Sequence, residues 1–201
     1  MELVEQDGVV NADKLCVKQA LPMPGLWGLG RISFRSGGNR GIYLYDSSYP
    51  YCNIRTSPPT AYLIDSGVYP DHNDFGRRAT HLWKAEPSWP SGDRCGHGTH
   101  VAGTIIGQTY GVAKGAIILS VKVLEGGPHG SCTGTWAGVI AGIEKAYSHA
   151  AAAGKIPLSV INMSLGKFGL LLLQKRSANR GLLIPVKVGV RILPSIVPYR
   201  Q

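Results

Sequence analysis

Ala-Tyr-Leu-Ile-Asp-Ser-Gly, residues 61–67, is a short apolar run that ends in an acid and a turn. The run from Ala61 to Ile64 predicts a buried strand. Asp65 follows at the carboxyl end of that strand, the edge at which open α/β sheets place their sites. An acid in Asp-Ser-Gly is, on its own, more often a turn-forming residue. The functional interpretation of Asp65 therefore needs a partner elsewhere in the chain.

Helices and strands alternate downstream of this run. The apolar periodicity predicts helices over His97–Gly107 and Trp136–Ala153, with Gly154 ending the second. Apolar and β-branched residues predict further strands over Ile117–Leu124 and Leu158–Met163. This alternation predicts an α/β fold in which a parallel sheet is flanked by helices.

The partner for Asp65 lies in Gly-His-Gly-Thr-His, residues 96–100. Glycines on both sides of His97 allow other backbone to approach its ring closely. A carboxylate that accepts the Nδ1–H of a histidine fixes its tautomer and prepares it for proton transfer near neutral pH. We interpret Asp65 as the orienting acid and His97 as the general base. His100, one turn later, is expected to pack or to make a supporting hydrogen bond.

Several motifs occur in an order that resembles the subtilisin-like serine peptidases, specifically their proteinase K-like branch. The resemblance covers about residues 2–169. It implies a remnant of an inhibitory propeptide at 1–20 and the N-terminal half of a peptidase domain at 21–169, followed by a basic tail outside the family pattern at 170–201. The motifs that carry it are Ile64–Val68, His97–Thr104, Tyr110–Gly115, Val121–Leu124, Asn162–Gly166, Trp27–Ser33 and Val4–Val10.

The resemblance also implies a function, proteolysis of extended peptides by serine-type endopeptidase chemistry. Asp65 and His97 match the orienting aspartate and the general base of the family. A substrate would add to an edge strand through its main-chain hydrogen bonds. The residues implied to bind it are Leu124, Gly126, Ser164, Leu165 and Gly166.

The rest of the family's catalytic apparatus has no match in these 201 residues. No Gly-Thr-Ser-Met-Ala or similar nucleophile turn follows His97, and no Ala-Gly-Asn stretch supplies an oxyanion asparagine. We therefore expect this chain to be inactive as written, because the base has no hydroxyl to activate. The alternative function is that of a non-catalytic pseudopeptidase that binds extended peptides.

Cysteine chemistry offers two substitutes for the missing serine. Cys95 lies two residues before His97, so a thiolate–imidazole pair is one hypothesis, and a metal site that begins with Cys95, His97 and His100 is another. No fourth metal ligand is evident. The four cysteines also allow two disulfides with three pairings, which the sequence leaves open. We identify no cofactor; the resemblance leaves calcium open, with its ligands not located.

The net charge of +9 is unevenly distributed. Residues 167–201 hold seven basic and no acidic side chains, while the other 166 residues hold 14 basic and 12 acidic ones. Nucleic acid is not the expected partner of residues 167–201, since only Phe168 and Tyr199 among them could stack on bases. The expected partner is a polypeptide, bound by a monomer.

Location is inferred from the resemblance alone. The family acts outside the cell, whereas the first residues, Met1–Glu5, lack the basic start and apolar middle of a secretory signal. No apolar run approaches the ~18 residues of a membrane span. The resemblance therefore implies an extracellular protein, although this chain shows no signal peptide, and the sequence predicts no membrane partner.

Overall fold

The computed structural model describes residues 16–21, 27–34, 41–46 and 58–166. These residues belong to two compact units, one within 1–50 and one within 51–201. No helix in the described part of the chain is long and apolar enough to span a membrane. The predicted basic tail, 170–201, lies outside the described residues.

The unit within residues 1–50 consists of two strands and one helix. Strands β1 (Cys16–Ala20) and β2 (Ile42–Asp46) are antiparallel, and helix α1 (Trp27–Ser33) lies between them in sequence. β1 falls in the segment predicted as a leader, yet it pairs with a strand from the segment predicted as peptidase domain. The domain assignment stays a prediction. The apolar core of this unit consists of Leu21, Leu29 and Tyr43.

The unit within residues 51–201 is built on a parallel sheet. Its strands are β3 (Thr60–Asp65), β4 (Ala79–Lys84), β5 (Ile117–Lys122) and β8 (Ser159–Asn162), in the order β4-β5-β3-β8. β3 therefore has a parallel neighbour on each side. The remaining elements are helices α2 (His97–Ile106) and α3 (Trp136–Ala152) and the antiparallel pair β6 (Glu125–Gly126) and β7 (Cys132–Thr133).

Alternate residues of β3 enter two different apolar cores, as the two-residue period of a strand requires. Ala61 and Leu63 pack in the cluster that contains Ala102 and Ile106 of α2. Tyr62 and Ile64 pack in the cluster that contains Val139, Ala146 and Ala150 of α3. The two helices therefore cover opposite faces of the sheet, which confirms the predicted α/β fold with a parallel sheet flanked by helices.

The predicted helices are confirmed to within one residue at their ends. α2 ends at Ile106, one residue before the predicted end, and α3 ends at Ala152. Thr135 caps α3 because its side-chain oxygen accepts a hydrogen bond from the amide of Gly138 at 3.1 Å. Gly154 has a φ of 63°, the left-handed conformation that commonly follows a helix end.

Candidate active site

Asp65 is the last residue of the central strand β3, and its side chain is fully buried. Its Oδ1 accepts a hydrogen bond from the amide of Ser66 at 2.7 Å. The same oxygen lies 2.8 Å from Nδ1 of His97. A buried carboxylate needs such partners, because its water has been removed. Oδ1 of Asp65 thus makes both the local turn hydrogen bond with Ser66 and the contact with His97 that an orienting acid requires.

His97 begins helix α2 and keeps 45% of its side chain exposed. Because the carboxylate of Asp65 can only accept, Nδ1 of the neutral ring must carry the proton. The lone pair of that tautomer is then on Nε2, the nitrogen away from Asp65. The geometry is that of a base whose proton is held on one side and whose acceptor is available on the other.

Gly98 explains how α2 can begin so close to the Asp65 turn. A Cβ at this position would lie 3.2 Å from the carbonyl carbon of Gly67 and still closer to its oxygen. The amide of Gly98 instead donates to Oγ of Ser66 at 2.9 Å. Only glycine allows this approach, and the approach is what brings His97 to Asp65.

Asp93 holds the loop that leads into α2. Its Oδ1 accepts from Oγ of Ser66 at 2.9 Å and from the amides of Cys95 and Gly96 at 3.0 and 2.9 Å. Its Oδ2 accepts from the amide and hydroxyl of Thr99 at 2.8 and 2.6 Å. Burial raises the pKa of Asp93, but these hydrogen bonds outweigh burial and hold the pKa below its ordinary value. Asp93 is therefore a carboxylate with five donors.

Lys122 is buried at the end of β5, where its ammonium group contacts the turn after Asp65, the loop before α2 and the strand β6. Its Nζ donates to the carbonyl oxygens of Ser66 at 2.7 Å and Gly92 at 2.8 Å. It also lies 3.3 Å from Oε2 of Glu125. A buried ammonium is stable only with such partners, so this lysine fixes the turn after Asp65 against the loop before His97.

A groove of about 460 Å³ opens beside His97. Four of the predicted peptide-binding residues line it, namely Leu124 and the segment Ser164–Gly166. Gly126 is not among the described residues that line the groove; it lies on β6 and pairs with Cys132, which does line it. The other lining residues are Thr133, Gly134, Thr135, Trp136 and Val139.

Cys95 and Cys132 form a disulfide, with their Cα atoms 5.9 Å apart. The bond connects the loop before His97 to the groove wall. Both substitute hypotheses for Cys95 are therefore wrong, because an oxidised sulfur is neither a thiolate nucleophile nor a metal ligand. Among the described residues, no group of three or more His, Cys, Asp or Glu side chains could hold a metal ion.

Sequence reasoning missed Asp93, Ser66 and Lys122 as parts of this site. Asp93 precedes Arg94 in a loop, where an acid ordinarily indicates a solvated turn. The cap position directly before α2 is occupied by Gly96, so no cap signal pointed to Asp93 three residues earlier. His100 lies exposed on α2, one turn after His97, and its role in packing or in a supporting hydrogen bond stays a prediction.

Comparisons with known proteins give one consistent result. The Subtilase family profile matches residues 61–183. A subtilisin-like protease of Coccidioides posadasii is 40% identical over 168 residues, covering 83% of this chain and 38% of that protein. Subtilisin-like protease 2 of Pseudogymnoascus destructans is 43% identical over 165 residues, covering 81% and 36%. A crystal structure of a cold adapted subtilisin-like serine proteinase matches with 38% identity and a TM-score of 0.49, covering 70% of this chain and 46% of that one. The chain thus spans less than half the length of these relatives.

Proposed function

This chain belongs to the subtilase family, and from that premise we propose that it carries the acid–base half of a serine-type endopeptidase, together with part of its peptide groove. The observation that carries the proposal is the 2.8 Å contact between Nδ1 of His97 and Oδ1 of the buried Asp65. Because the ring of His97 is half exposed beside the groove, it can reach a bound substrate. Because the carboxylate of Asp65 is buried, its charge is little screened by solvent ions and acts on His97.

The chemistry of the pair follows from its tautomer. Asp65 keeps the proton of His97 on Nδ1, so Nε2 can accept the proton of an attacking hydroxyl. The imidazolium formed in that step is stabilised by the same carboxylate, and it later returns the proton to the leaving amine. Neither residue attacks the peptide itself. The hydroxyl must come from a serine in a family-type turn, and no such turn follows His97 in these 201 residues.

The groove supports an extended polypeptide as the substrate class. Ser164–Gly166 begins two residues after the end of β8, and Leu124 lies two residues after the end of β5, so both walls supply backbone beside the ends of strands. A peptide between them would pair as a β-strand. Trp136 and Val139 give the groove apolar surface, which favours apolar substrate side chains.

Peptide binding is tested with an apolar hexapeptide and with the same peptide N-methylated at alternate amides. We expect the methylated peptide to bind at least about tenfold more weakly, because each lost hydrogen bond is worth about 1 kcal/mol. Trp136→Ala should also weaken binding, whereas Trp89→Ala, outside the groove, should leave it unchanged. Equal affinities for the two peptides would contradict strand addition.

Catalysis is tested on the same chain by casein hydrolysis and by labelling with a serine-directed fluorophosphonate probe. We expect neither turnover nor labelling from the 201 residues, because they contain the base without its hydroxyl. Labelling of any serine would overturn this part of the proposal.

The alternative function, a non-catalytic peptide-binding pseudopeptidase, is favoured by one observation: described residues line a groove beside His97 that peptide could enter without any catalytic step. Sequencing the transcript across the codon for Gly169 separates the two functions. A reading frame that continues into a serine turn supports the peptidase, whereas a frame that ends at Gln201 supports the binding module.

The Cys95–Cys132 disulfide supports an oxidising location, outside the cell or in the secretory pathway. We expect the chain to bind polypeptides there as a monomer. Elution of the purified protein as a dimer in gel filtration would contradict the expected monomer.

A further inference from the structure

Asp93 lies four residues before His97 and contacts both partners of the Asp65–His97 pair indirectly. On one side, it accepts from the hydroxyl of Ser66, whose amide in turn donates to Oδ1 of Asp65. On the other side, it accepts from the amide and hydroxyl of Thr99 in the first turn of α2. One carboxylate therefore holds the turn that carries the acid and the helix that carries the base.

Ser66 connects these two sides a second time. Its Oγ donates to Asp93 at 2.9 Å and accepts from the amide of Gly98 at 2.9 Å. The hydroxyl has a single proton, so its donation to Asp93 fixes the lone pair that receives Gly98. Without the acceptor oxygen of Asp93, the Ser66 hydroxyl could rotate. Its lone pair would then no longer be held toward the amide of Gly98, and the hydrogen bond between the turn and α2 would weaken.

We propose that Asp93 is a positioning residue for this pair: through Ser66 and the first turn of α2 it holds Nδ1 of His97 against Asp65 and so keeps the histidine proton on Nδ1. The inference rests on the proposed function of the pair as an acid–base unit. The five described hydrogen bonds of Asp93 go to residues other than His97, so in this proposal it takes no part in proton transfer.

A carboxylate is needed at this position because two oxygens receive five donors. Asparagine offers one acceptor oxygen, and its NH₂ group would face either the donors at Oδ1 or those of Thr99. A negative charge also complements the positive end of α2. The lowered pKa of Asp93 agrees with a group whose charged form is the one that the surroundings bind.

The simpler explanation is that Asp93 only stabilises the loop and the helix end. The tautomer of His97 separates the two explanations, because a loss of global stability in a chain that is still folded does not move a proton from Nδ1 to Nε2. The chain labelled with ¹⁵N-histidine reports this tautomer in ¹H–¹⁵N correlation spectra at pH about 8. The signal of His97 is assigned by its loss in His97→Gln.

The matched control is Asp74, a half-buried acid at the other end of α2 that accepts the amide of Thr109 at 2.8 Å. We expect the wild-type chain and Asp74→Asn to show His97 protonated on Nδ1. In Asp93→Asn we expect the ratio of Nδ1–H to Nε2–H to fall at least about tenfold, since a hydrogen bond to a charged group is worth that factor or more.

Three results would overturn the inference. The first is a folded Asp93→Asn chain with the wild-type tautomer ratio, and the second is an equal change in Asp74→Asn. If Asp93→Asn does not fold, Ser66→Ala decides, because it removes the hydroxyl that connects Asp93 to Gly98 and should give the same tautomer change. An unchanged ratio in folded Ser66→Ala is the third. A wild-type His97 that is not protonated on Nδ1 would instead overturn the proposed function itself, so the two failures can be told apart.

Discussion

Gly98→Ala should destabilise the protein although it places a better helix former in a helix. The added Cβ would lie 3.2 Å from both the carbonyl carbon of Gly67 and Oγ of Ser66, and closer still to the Gly67 oxygen. Backbone atoms cannot rotate away as a side chain can. Either α2 or the turn after Asp65 must therefore move, and both carry the pair.

The magnitude follows from three opposing contributions. Overpacking against backbone costs about 1–3 kcal/mol. The movement also weakens the hydrogen bond from Gly98 to Ser66 and the contact of His97 with Asp65, at about 1–2 kcal/mol together. The helix propensity of alanine offsets about 1 kcal/mol. We expect a net loss of about 2.5 kcal/mol in the free energy of unfolding, or roughly 8 °C in Tm for a chain of this length.

Gly103→Ala is the control, because it makes the same substitution in the same helix without the clash. Its Cβ would meet nothing nearer than Cε1 of Phe75 at 3.9 Å, an ordinary van der Waals distance. We expect this variant to gain about 0.5–1 kcal/mol. Urea unfolding followed by circular dichroism measures both variants against wild type. A Gly98→Ala chain as stable as Gly103→Ala would refute the reasoning.

Three further predictions concern the surroundings of the pair. Thr135→Ala should lower the free energy of unfolding by about 1 kcal/mol in urea, since the amide of Gly138 loses its cap, while Thr135→Ser should retain most of it. Although burial raises the pKa of Asp93, its hydrogen bonds, led by those from Thr99, hold that pKa below 3.8 in the folded chain. The charged carboxylate therefore stabilises the fold above pH 3.8, and this stabilisation is lost as the pH falls through the folded pKa. Asp93→Asn should make the melting temperature less dependent on pH across that acid range. Replacing Cys95 and Cys132 together by serine should cost about 2–4 kcal/mol, because the 37-residue separation is no longer closed in the unfolded chain, and equal Tm values of the reduced and oxidised wild type would contradict this.

The fold was predictable where its signals lie in neighbouring residues. The apolar run at Ala61–Ile64 and the spacing over Trp136–Ala153 each depend on neighbours in sequence, and both elements formed as expected. The position of Asp65 followed from the strand, because a residue after a central parallel strand must lie at the edge of the sheet. The partnership with His97 then needed only the recognition of a helix start.

The rest of the site depends on contacts between distant segments, which local patterns do not contain. Four cysteines leave three pairings, and only the approach of the loop at Cys95 to the groove wall at Cys132 selects one. Asp93 has the sequence signature of a turn acid, whereas the hydroxyl of Ser66 that donates to it lies 27 residues away in sequence. Lys122 resembles a polar position on a strand until the folded chain surrounds it with the carbonyls of Ser66 and Gly92.

The geometry of the pair and the presence of a nucleophile are separate properties of this molecule. The hydrogen bonds and the ion pair described above for Asp65, Ser66, Asp93 and Lys122 join residues between β3 and Glu125. The Cys95–Cys132 disulfide is the described link from the loop before His97 to a residue beyond Glu125, and it does not touch the pair itself. A chain that fails to label with a serine-directed probe can therefore still hold His97 protonated on Nδ1. If the probe does not label the chain and His97 is not protonated on Nδ1, the proposed acid–base pair is wrong. If only the labelling is absent, the base is formed and lacks the hydroxyl that it would activate.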